Sequence, residues 1–415
     1  MANFVYRCSG CGRRYGRDEA RYLCPECGKA YRPGMPLVGV LTAEFDYASI
    51  RRKFRKTRPD WSLFCAVERR YFPPLGMVPT PFHRAAALGA AYGLPDVWIK
   101  NDALNPSGSL KDRASLLVVA EASRLGEATI VTASTGNAAS SLAAVCAAGA
   151  RRAVIFVPES APRAKLAQMI IHGAFVVTVK GTYDDAFRMS IEFTGRHGGL
   201  NRNTAYHPLT IEGKKTVGLE IWQQNGWRAP SVIVVPTGDG VILAGVFKAF
   251  EDLRLAGLVP RLPRLVCVQA DRSSAIHRYI TTGRYRDAEN PATVADSISV
   301  SVPSNAHLAR AAVVASRGFS LTVSDREILE GQRRLATTSG VFAEPAAAAA
   351  AAALGKLRRT GELRAGDQVV ALVTGHGLKD VDAALGKIAM PAAVPPTAAG
   401  LESVARRLAG KGAAR

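Results

Sequence analysis

The chain has 415 residues, of which 48% are hydrophobic and 21% are charged. This length and composition indicate a globular protein of one large or two medium domains with a sizeable core. No apolar run approaches the roughly 20 residues of a membrane span, and the N-terminus lacks the apolar core of a signal peptide. These features argue against a membrane-spanning or secreted protein, and we expect a cytoplasmic one.

The formal net charge of the chain is +20, from 54 basic and 34 acidic residues. Such an excess is compatible with a nucleic acid or another anionic partner. Most of it is arginine scattered along the chain, and it is not gathered with aromatic residues as a nucleic-acid surface would be. The pattern favours a solvated basic surface, so we expect no nucleic-acid partner and no membrane partner.

Four of the seven cysteines lie near the N-terminus. Cys8 and Cys11 form one Cys-x-x-Cys pair, and Cys24 and Cys27 form a second pair twelve residues later. In a chain without a secretion signal, this spacing favours one tetrahedral zinc ion. The alternatives are two disulfides or a relic ribbon without metal. We therefore predict a zinc ribbon over residues 1–36, in which the ion is structural because protein ligands fill all four positions.

Residues 37–80 form a basic segment with scattered aromatic residues, and after it strand and helix patterns alternate. Short apolar runs predict strands at 97–100, 129–133, 153–157, 175–179, 231–236, 265–269 and 368–373. Helices are predicted to begin at Lys111 and to cover 138–149, 162–172, 183–197, 241–256, 325–338 and 346–358. This alternation predicts an α/β fold with a parallel sheet, helices on both faces and ligands at the carboxyl ends of the strands.

The segment at 105–113 (Asn-Pro-Ser-Gly-Ser-Leu-Lys-Asp-Arg) is the most informative of the chain. It places Lys111 directly after a Gly-Ser turn and at the start of a helix. A lysine held there can lose its charge by desolvation and condense with an aldehyde, which is how a Schiff base forms. An isolated lysine in this setting is more often a surface residue, so the interpretation depends on three further segments.

Three downstream segments place a turn at the end of a strand. Residues 132–138 (Thr-Ala-Ser-Thr-Gly-Asn-Ala) bring hydroxyls and free backbone N–H groups to a helix start, which suits a substrate carboxylate. Residues 234–242 (Val-Val-Pro-Thr-Gly-Asp-Gly-Val-Ile) bring two glycines to a helix start, which suits a phosphate. A third strand ends at Thr374, whose neutral hydroxyl can bond a pyridine nitrogen. Together with Lys111, these segments predict a pyridoxal-phosphate site.

The four segments resemble, in matching order, those of the fold-type II pyridoxal-phosphate enzymes, and most of all those of threonine synthases. The resemblance runs from about Leu75 to about Leu385 and includes Gly-Val-Phe-Ala-Glu-Pro at 340–345. It implies a tryptophan synthase β-like fold of two parallel-sheet α/β domains beside the ribbon, and a homodimer. We expect a large cofactor-binding domain formed by 37–120 together with 205–392. A small mobile domain is expected at 121–204, and a basic flexible tail at 393–415.

The resemblance also implies roles for individual residues. Lys111 would hold pyridoxal phosphate as a Schiff base and then remove the α-proton of the substrate. Asn137 would lie beside the 3′-hydroxyl of the cofactor, and Thr374 would face its ring nitrogen. Because a hydroxyl does not favour a protonated pyridine, Thr374 suits elimination and replacement better than transamination. The substrate carboxylate would be bound by Ser134, Thr135, Gly136 and Asn137, and the cofactor phosphate by Gly238, Asp239, Gly240, Val241 and Ile242.

The sequence departs from the threonine synthase pattern where the substrate phosphate should bind. A serine and an arginine of that family, which precede a Glu-Gly motif, correspond to Ala205 and Thr210, and an asparagine corresponds to Ile242. None of these three residues supplies the fixed bidentate charge of an arginine. Nearby cations that could compensate are Arg163, Arg202, Lys214 and Lys215. Candidates for contacting a different substrate side chain are Tyr206, His207 and Thr210.

We therefore predict a pyridoxal-phosphate-dependent lyase that performs elimination or replacement at the β or γ carbon of an amino acid, with an altered substrate pocket. One alternative is threonine synthase activity proper, which converts O-phosphohomoserine to threonine and phosphate. Another is a non-catalytic regulatory or RNA-binding relative that uses the ribbon and the basic surface. The presence of Lys111, Asn137 and Thr374 favours an enzyme over this last alternative.

Overall fold

Three sheets organise the chain. The computed structural model describes residues 3–56, 61–75, 79–161, 163–364, 366–386 and 391–412. The strands are β1 (Phe4–Cys8), β2 (Arg14–Tyr15), β3 (Leu41–Phe45), β4 (Phe82–Arg84), β5 (Val97–Asn101), β6 (Thr129–Ala133), β7 (Arg152–Pro158), β8 (Phe175–Val179), β9 (Leu200–Asn201), β10 (Val232–Pro236), β11 (Arg264–Ala270), β12 (Phe319–Val323) and β13 (Val369–Val373).

Helices connect most of these strands. They are α1 (Tyr47–Lys56), α2 (Ala86–Tyr92), α3 (Lys111–Leu125), α4 (Asn137–Ala148), α5 (Arg163–Ile171), α6 (Tyr183–His197), α7 (Leu209–Gln224), α8 (Val241–Leu255), α9 (Ala275–Thr282), α10 (Ala306–Ala315), α11 (Asp325–Ser339), α12 (Pro345–Thr360), α13 (Val381–Leu385) and α14 (Ala398–Gly412). Among the described residues, no helix is both long and apolar enough to cross a membrane.

The larger sheet has six strands in the order β12-β11-β10-β13-β5-β4, and all of its pairings are parallel except the edge pairing of β4 with β5. Its central strands β10 and β13 are Val-rich and buried along their whole length, as expected when helices cover both faces of a sheet. The second sheet is parallel, with the order β8-β7-β6-β9. The two-sheet α/β architecture predicted from the sequence is confirmed.

The third sheet belongs to the cysteine-containing N-terminus. Its order is β2-β1-β3, and β3 pairs antiparallel with β1 from Phe4 opposite Phe45 to Cys8 opposite Leu41. The sheet of the ribbon therefore extends beyond the predicted boundary at residue 36, because the second partner of β1 comes from 41–45.

The predicted strands and helices are confirmed, and each predicted strand end lies within one residue of the observed end. Residue 162, where a helix was predicted to begin, lies outside the described residues. The strands of the smaller sheet fall within 121–204, which we retain as the proposed small domain. Within the predicted basic flexible tail at 393–415, the Ala, Leu, Glu and Arg residues favour a helix and form α14, most of whose described side chains are exposed.

A buried ion network anchors the start of α3 to the larger sheet. The guanidinium of Arg113 donates to Asp102 at 2.6 Å and to Glu220 of α7 at 2.6 Å. The ammonium of Lys100, on β5, also donates to Glu220 at 2.6 Å. All four side chains are almost inaccessible to solvent. Because Arg113 lies two residues after Lys111, this network fixes the first turn of the helix that carries the lysine.

Replacing Glu220 with alanine should lower the free energy of unfolding by about 3–5 kcal/mol, because the change leaves Lys100 and Arg113 buried without their shared carboxylate. Denaturant unfolding of the purified protein measures this loss. The matched control is Glu192→Ala, which removes an exposed partner of Arg188 and should leave the unfolding midpoint in place. Equal midpoints for Glu220→Ala and the wild type would contradict the role given to the network.

The same network predicts how stability depends on pH. Burial alone would raise the pKa of Glu220, but the charges of Arg113 and Lys100 outweigh it and lower the pKa to about 2. The stabilisation from this group is therefore complete above its ordinary pKa of 4.5 and is lost as the pH falls toward 2. The difference in the free energy of unfolding between the wild type and Glu220→Ala, measured by denaturant unfolding, should become smaller as the pH is lowered from 4.5 toward 2.

Candidate active site

A cavity of about 550 Å³ opens where the two parallel sheets meet. Three of its edges are strand ends, since β6 ends at Ala133, β10 ends at Pro236, and β13 is followed by Thr374. Ligands of parallel α/β folds bind at this end of the strands. The residues predicted to bind the cofactor and the substrate carboxylate all line this cavity: Lys111, Ser134, Thr135, Gly136, Asn137, Gly238, Asp239, Gly240, Val241, Ile242 and Thr374.

The turn that carries Lys111 is bonded directly to the loop that carries Thr374. The backbone N–H of Leu110 donates to the carbonyl of Thr374 at 2.9 Å, and the N–H of His376 donates to the carbonyl of Gly108 at 2.9 Å. These bonds set the separation between Lys111 and the Thr374 hydroxyl. They also give His376 a structural role in the loop.

The amine of Lys111 is suited to react as a neutral nucleophile. Desolvation lowers the pKa of Lys111, the charge of Glu344 opposes this effect, and the charge of Arg202 adds to it. No described residue forms a hydrogen bond or ion pair with its Nζ, so this atom is available to the cavity. A lower pKa increases the fraction of unprotonated amine, which is the form that condenses with an aldehyde.

The side chain of Asn137 is oriented by Glu344. Its amide nitrogen donates to both carboxylate oxygens of Glu344 at 2.9 Å, and to the hydroxyl of Ser297 at 3.3 Å. A carboxylate only accepts hydrogen bonds, so the nitrogen must face Glu344 and the amide oxygen must face away from it. Close packing maintains the arrangement, because a Cβ at Gly375 would lie 2.3 Å from an oxygen of Glu344.

The glycine turn before α8 presents its backbone to the cavity. Gly240 is the residue before the helix and has a φ of 85°, a left-handed conformation in which a Cβ would also approach that of Ala309 to 2.7 Å. The carboxylate of Asp239 accepts from the N–H and the hydroxyl of Ser304, at 3.1 and 3.2 Å. The first N–H groups of α8 have no partner within the helix and are therefore available to an anion.

These features fit pyridoxal phosphate. The cavity offers an unpaired lysine amine, a helix N-terminus behind a glycine turn, an oriented asparagine amide and the hydroxyl of Thr374. The sequence profile of the family described as "Pyridoxal-phosphate dependent enzyme" matches residues 74–375. The chain belongs to this family.

Several relatives with similar sequences are threonine synthases. The chain is 33% identical over 396 residues to that of Methanocaldococcus jannaschii, which covers 92% of this chain and 94% of the relative. It is 33% identical over 385 residues to that of Methanosarcina acetivorans, with 90% and 92% covered. The Mycobacterium tuberculosis relative is 32% identical over 317 residues, with 76% and 86% covered. The chain is thus a lyase-family enzyme of the threonine synthase-like type.

Solved structures agree on the fold. Diaminopropionate ammonia lyase from Escherichia coli superposes with a TM-score of 0.64 at 17% identity and covers 82% of this chain and 92% of its own. Threonine deaminase isoform 2 from Solanum lycopersicum superposes with a TM-score of 0.63 at 21% identity, with 73% and 86% covered. At such low identity these likenesses establish the fold alone, which is that of fold-type II enzymes.

Three residues predicted to contact the substrate side chain do not line the cavity of the enzyme. Tyr206 stacks on Tyr22 of the ribbon, with ring centroids 4.7 Å apart. His207 is buried, its Nδ1 accepts from the N–H of Leu209, and burial lowers its pKa to about 4. The hydroxyl of Thr210 donates to the carbonyl of His207. This segment packs against the ribbon, and the hydrogen bonds of His207 and Thr210 are made within the segment itself.

The ribbon forms part of the cavity wall, which the sequence did not indicate. Tyr31, Gly34, Met35 and Leu37 all line the cavity. The backbone N–H of Leu37 donates to the carbonyl of Ser304, next to the glycine turn. A second unpredicted wall is the serine-rich stretch that includes Ser297, Ser299, Ser301 and Ser304, whose alternating serines were the only signal for it in the sequence.

The four ribbon cysteines are arranged to hold one metal ion. Their sulfur atoms lie within 4.8 Å of one another, and those of Cys11 and Cys24 are 3.8 Å apart. A tetrahedral zinc ion with bonds of about 2.3 Å would separate its sulfurs by about 3.8 Å. Backbone N–H groups already point at the sulfurs, from Gly10 and Cys11 to Cys8 and from Cys27 to Cys24. The residues therefore fit a structural zinc ion.

Replacing Cys8 with serine should reduce the zinc content from about one ion per chain toward zero, because one of the four tetrahedral ligands is lost. The wall formed by 31–37 should then loosen, and the Kd of the enzyme for pyridoxal phosphate should rise. Elemental analysis and equilibrium dialysis measure the two effects. The control is Cys146→Ala, which removes a buried cysteine outside the ribbon and should keep the metal. Full zinc content in Cys8→Ser would contradict the assignment.

Proposed function

We propose that the enzyme catalyses elimination or replacement at the β or γ carbon of an amino acid whose side chain differs from that of O-phosphohomoserine. The observation that carries the proposal is the lack of an anion-binding group at the three positions where threonine synthases are expected to bind the substrate phosphate. Ala205 and Thr210 do not line the cavity. Ile242 lines it but offers only an apolar side chain.

The residues of the enzyme have separable tasks in such a reaction. Lys111 takes the α-proton of the substrate on its Nζ, and the N–H groups and hydroxyls of the turn at 134–137 bind the substrate carboxylate. Bound pyridoxal phosphate supplies an electron sink for the carbanion. The hydroxyl of Thr374 would donate to the ring nitrogen of the bound cofactor without carrying a charge, which would favour elimination over transamination.

Threonine synthase activity proper is the second candidate. Its support is the 33% identity to a threonine synthase along 92% of the chain. A non-catalytic or RNA-binding role has less support, because a buried amine, an oriented amide and a glycine turn in one cavity serve no purpose in binding a polyanion at the surface.

The two candidates are separated by incubating the purified, cofactor-loaded enzyme with O-phosphohomoserine and assaying phosphate and threonine. We expect the enzyme to release no more phosphate or threonine than the Lys111→Ala variant does. The reason is that the positions occupied by Ala205, Thr210 and Ile242 provide no contact to a phosphate. In parallel, O-phosphoserine, serine, threonine and diaminopropionate are tested for a change in the absorbance of the bound cofactor and for release of a keto acid. Stoichiometric threonine and phosphate would show a threonine synthase with a rebuilt phosphate pocket.

A further inference from the structure

Lys214, on α7, is a buried lysine whose amine opens into the cavity. Its side chain is only 2% exposed, and the residue lines the cavity beside the glycine turn. Within the described part of the chain, no carboxylate pairs with its Nζ and no acceptor bonds to it. Placing an unpaired ammonium group in the interior is costly, and an anion bound beside Lys214 would offset this cost.

The neighbouring lysine provides a direct contrast. Lys215 is equally buried, but it pairs with Glu212 and, at 3.0 Å, with Asp252. Adjacent residues of a helix point about 100° apart, so Lys215 faces the acidic groups between α7 and α8 while Lys214 faces the cavity. The charge of Lys215 is therefore compensated within the protein, and that of Lys214 is not.

The acidic group whose charge acts on Lys214 is that of Asp239, which forms no ion pair with it. The carboxylate of Asp239 instead accepts from Ser304. A second cation, Arg202, lies nearby and has a buried Nη2 without a partner among the described residues. Desolvation and the charges of Arg202 and Lys111 lower the pKa of Lys214 well below its ordinary value. Its ammonium form is therefore favoured only when an anion lies beside it.

We propose that the ammonium group of Lys214 binds a carboxylate on the side chain of the substrate, so that the enzyme selects amino acids with a second carboxylate. This inference rests on the proposed function and names the substrate class of the same site. A single lysine compensates one negative charge, which matches a carboxylate, whereas a phosphate dianion calls for further donors. The other candidate cations do not line the cavity. Lys215 is paired, Arg163 is exposed, and Arg202 is buried behind the lining, where it donates to Ser115 and Thr204.

The phosphate of bound pyridoxal phosphate is a second anion that Lys214 could bind. Binding to this phosphate and binding to a substrate carboxylate predict different effects of removing the charge of Lys214. The cofactor phosphate has its own donors in the first N–H groups of α8. If Lys214 serves the substrate, removing its charge weakens the binding of dicarboxylic amino acids and leaves cofactor binding nearly unchanged. If Lys214 serves the cofactor, the Kd for pyridoxal phosphate rises instead.

The test uses the cofactor-loaded enzyme and two pairs of matched probes, L-aspartate with L-asparagine and L-glutamate with L-glutamine. Each pair has the same shape and differs in one charge. Binding is followed by the absorbance of the cofactor and by calorimetry. In the wild type, we expect at least one acid to bind roughly tenfold to a hundredfold more tightly than its amide, as a charged hydrogen bond allows. This preference should vanish in Lys214→Met and Lys214→Gln and persist in Arg163→Gln.

Three results would overturn the proposal: no preference for either acid in the wild type, a preference that survives in both Lys214 variants, or a loss of cofactor affinity in these variants without a change in preference. Two variants are used because one of them can fail to fold. The outcome is independent of the assay with O-phosphohomoserine, since binding is measured and not turnover. Release of threonine would reject the proposed function, whereas an absent acid preference would reject the role of Lys214.

Discussion

The active site depends on the pairing of two turns that are far apart in sequence. Gly108 and Leu110 bond to the loop of Thr374 and His376. Lys111, proposed to hold the cofactor, and the hydroxyl of Thr374, proposed to face its ring, therefore belong to one rigid unit. A base and an electron sink act together only at a fixed separation, because misplacement of about 1 Å costs about two orders of magnitude in rate. Other parts of the fold hold this unit in place.

Two features provide that support. The buried network of Lys100, Asp102, Arg113 and Glu220 holds the first turn of α3 against β5 and α7. On the opposite side, the ribbon packs Leu37 and its neighbours against the start of α8. The ribbon is therefore part of the wall of the active site, so a metal ion held by its four cysteines would support the cavity without taking part in the chemistry.

The sequence predicted the features that are local. In each of these local features a strand, a turn and the beginning of a helix lie within ten residues of one another. Lys111, the turn at 134–137 and the turn at 238–242 could therefore be recognised without tertiary information. The sequence could not show that the rings of Tyr206 and His207 contact Tyr22 of the ribbon, because Tyr22 lies far earlier in the chain. Sequence reasoning could not separate Lys214 from Lys215, since only the packing of α7 decides which lysine faces the cavity. The wall formed by 31–37 was missed for the same reason.

The central claim is that Lys111 carries the cofactor in a cavity shared with Thr374. Reduction of the loaded enzyme with borohydride makes the lysine–cofactor bond permanent, and peptide mass spectrometry then locates it. The account predicts a pyridoxyl group on the peptide that contains Lys111 and none on peptides that contain Lys214 or Lys379. A modified lysine at either of those positions, with Lys111 unmodified, would contradict it.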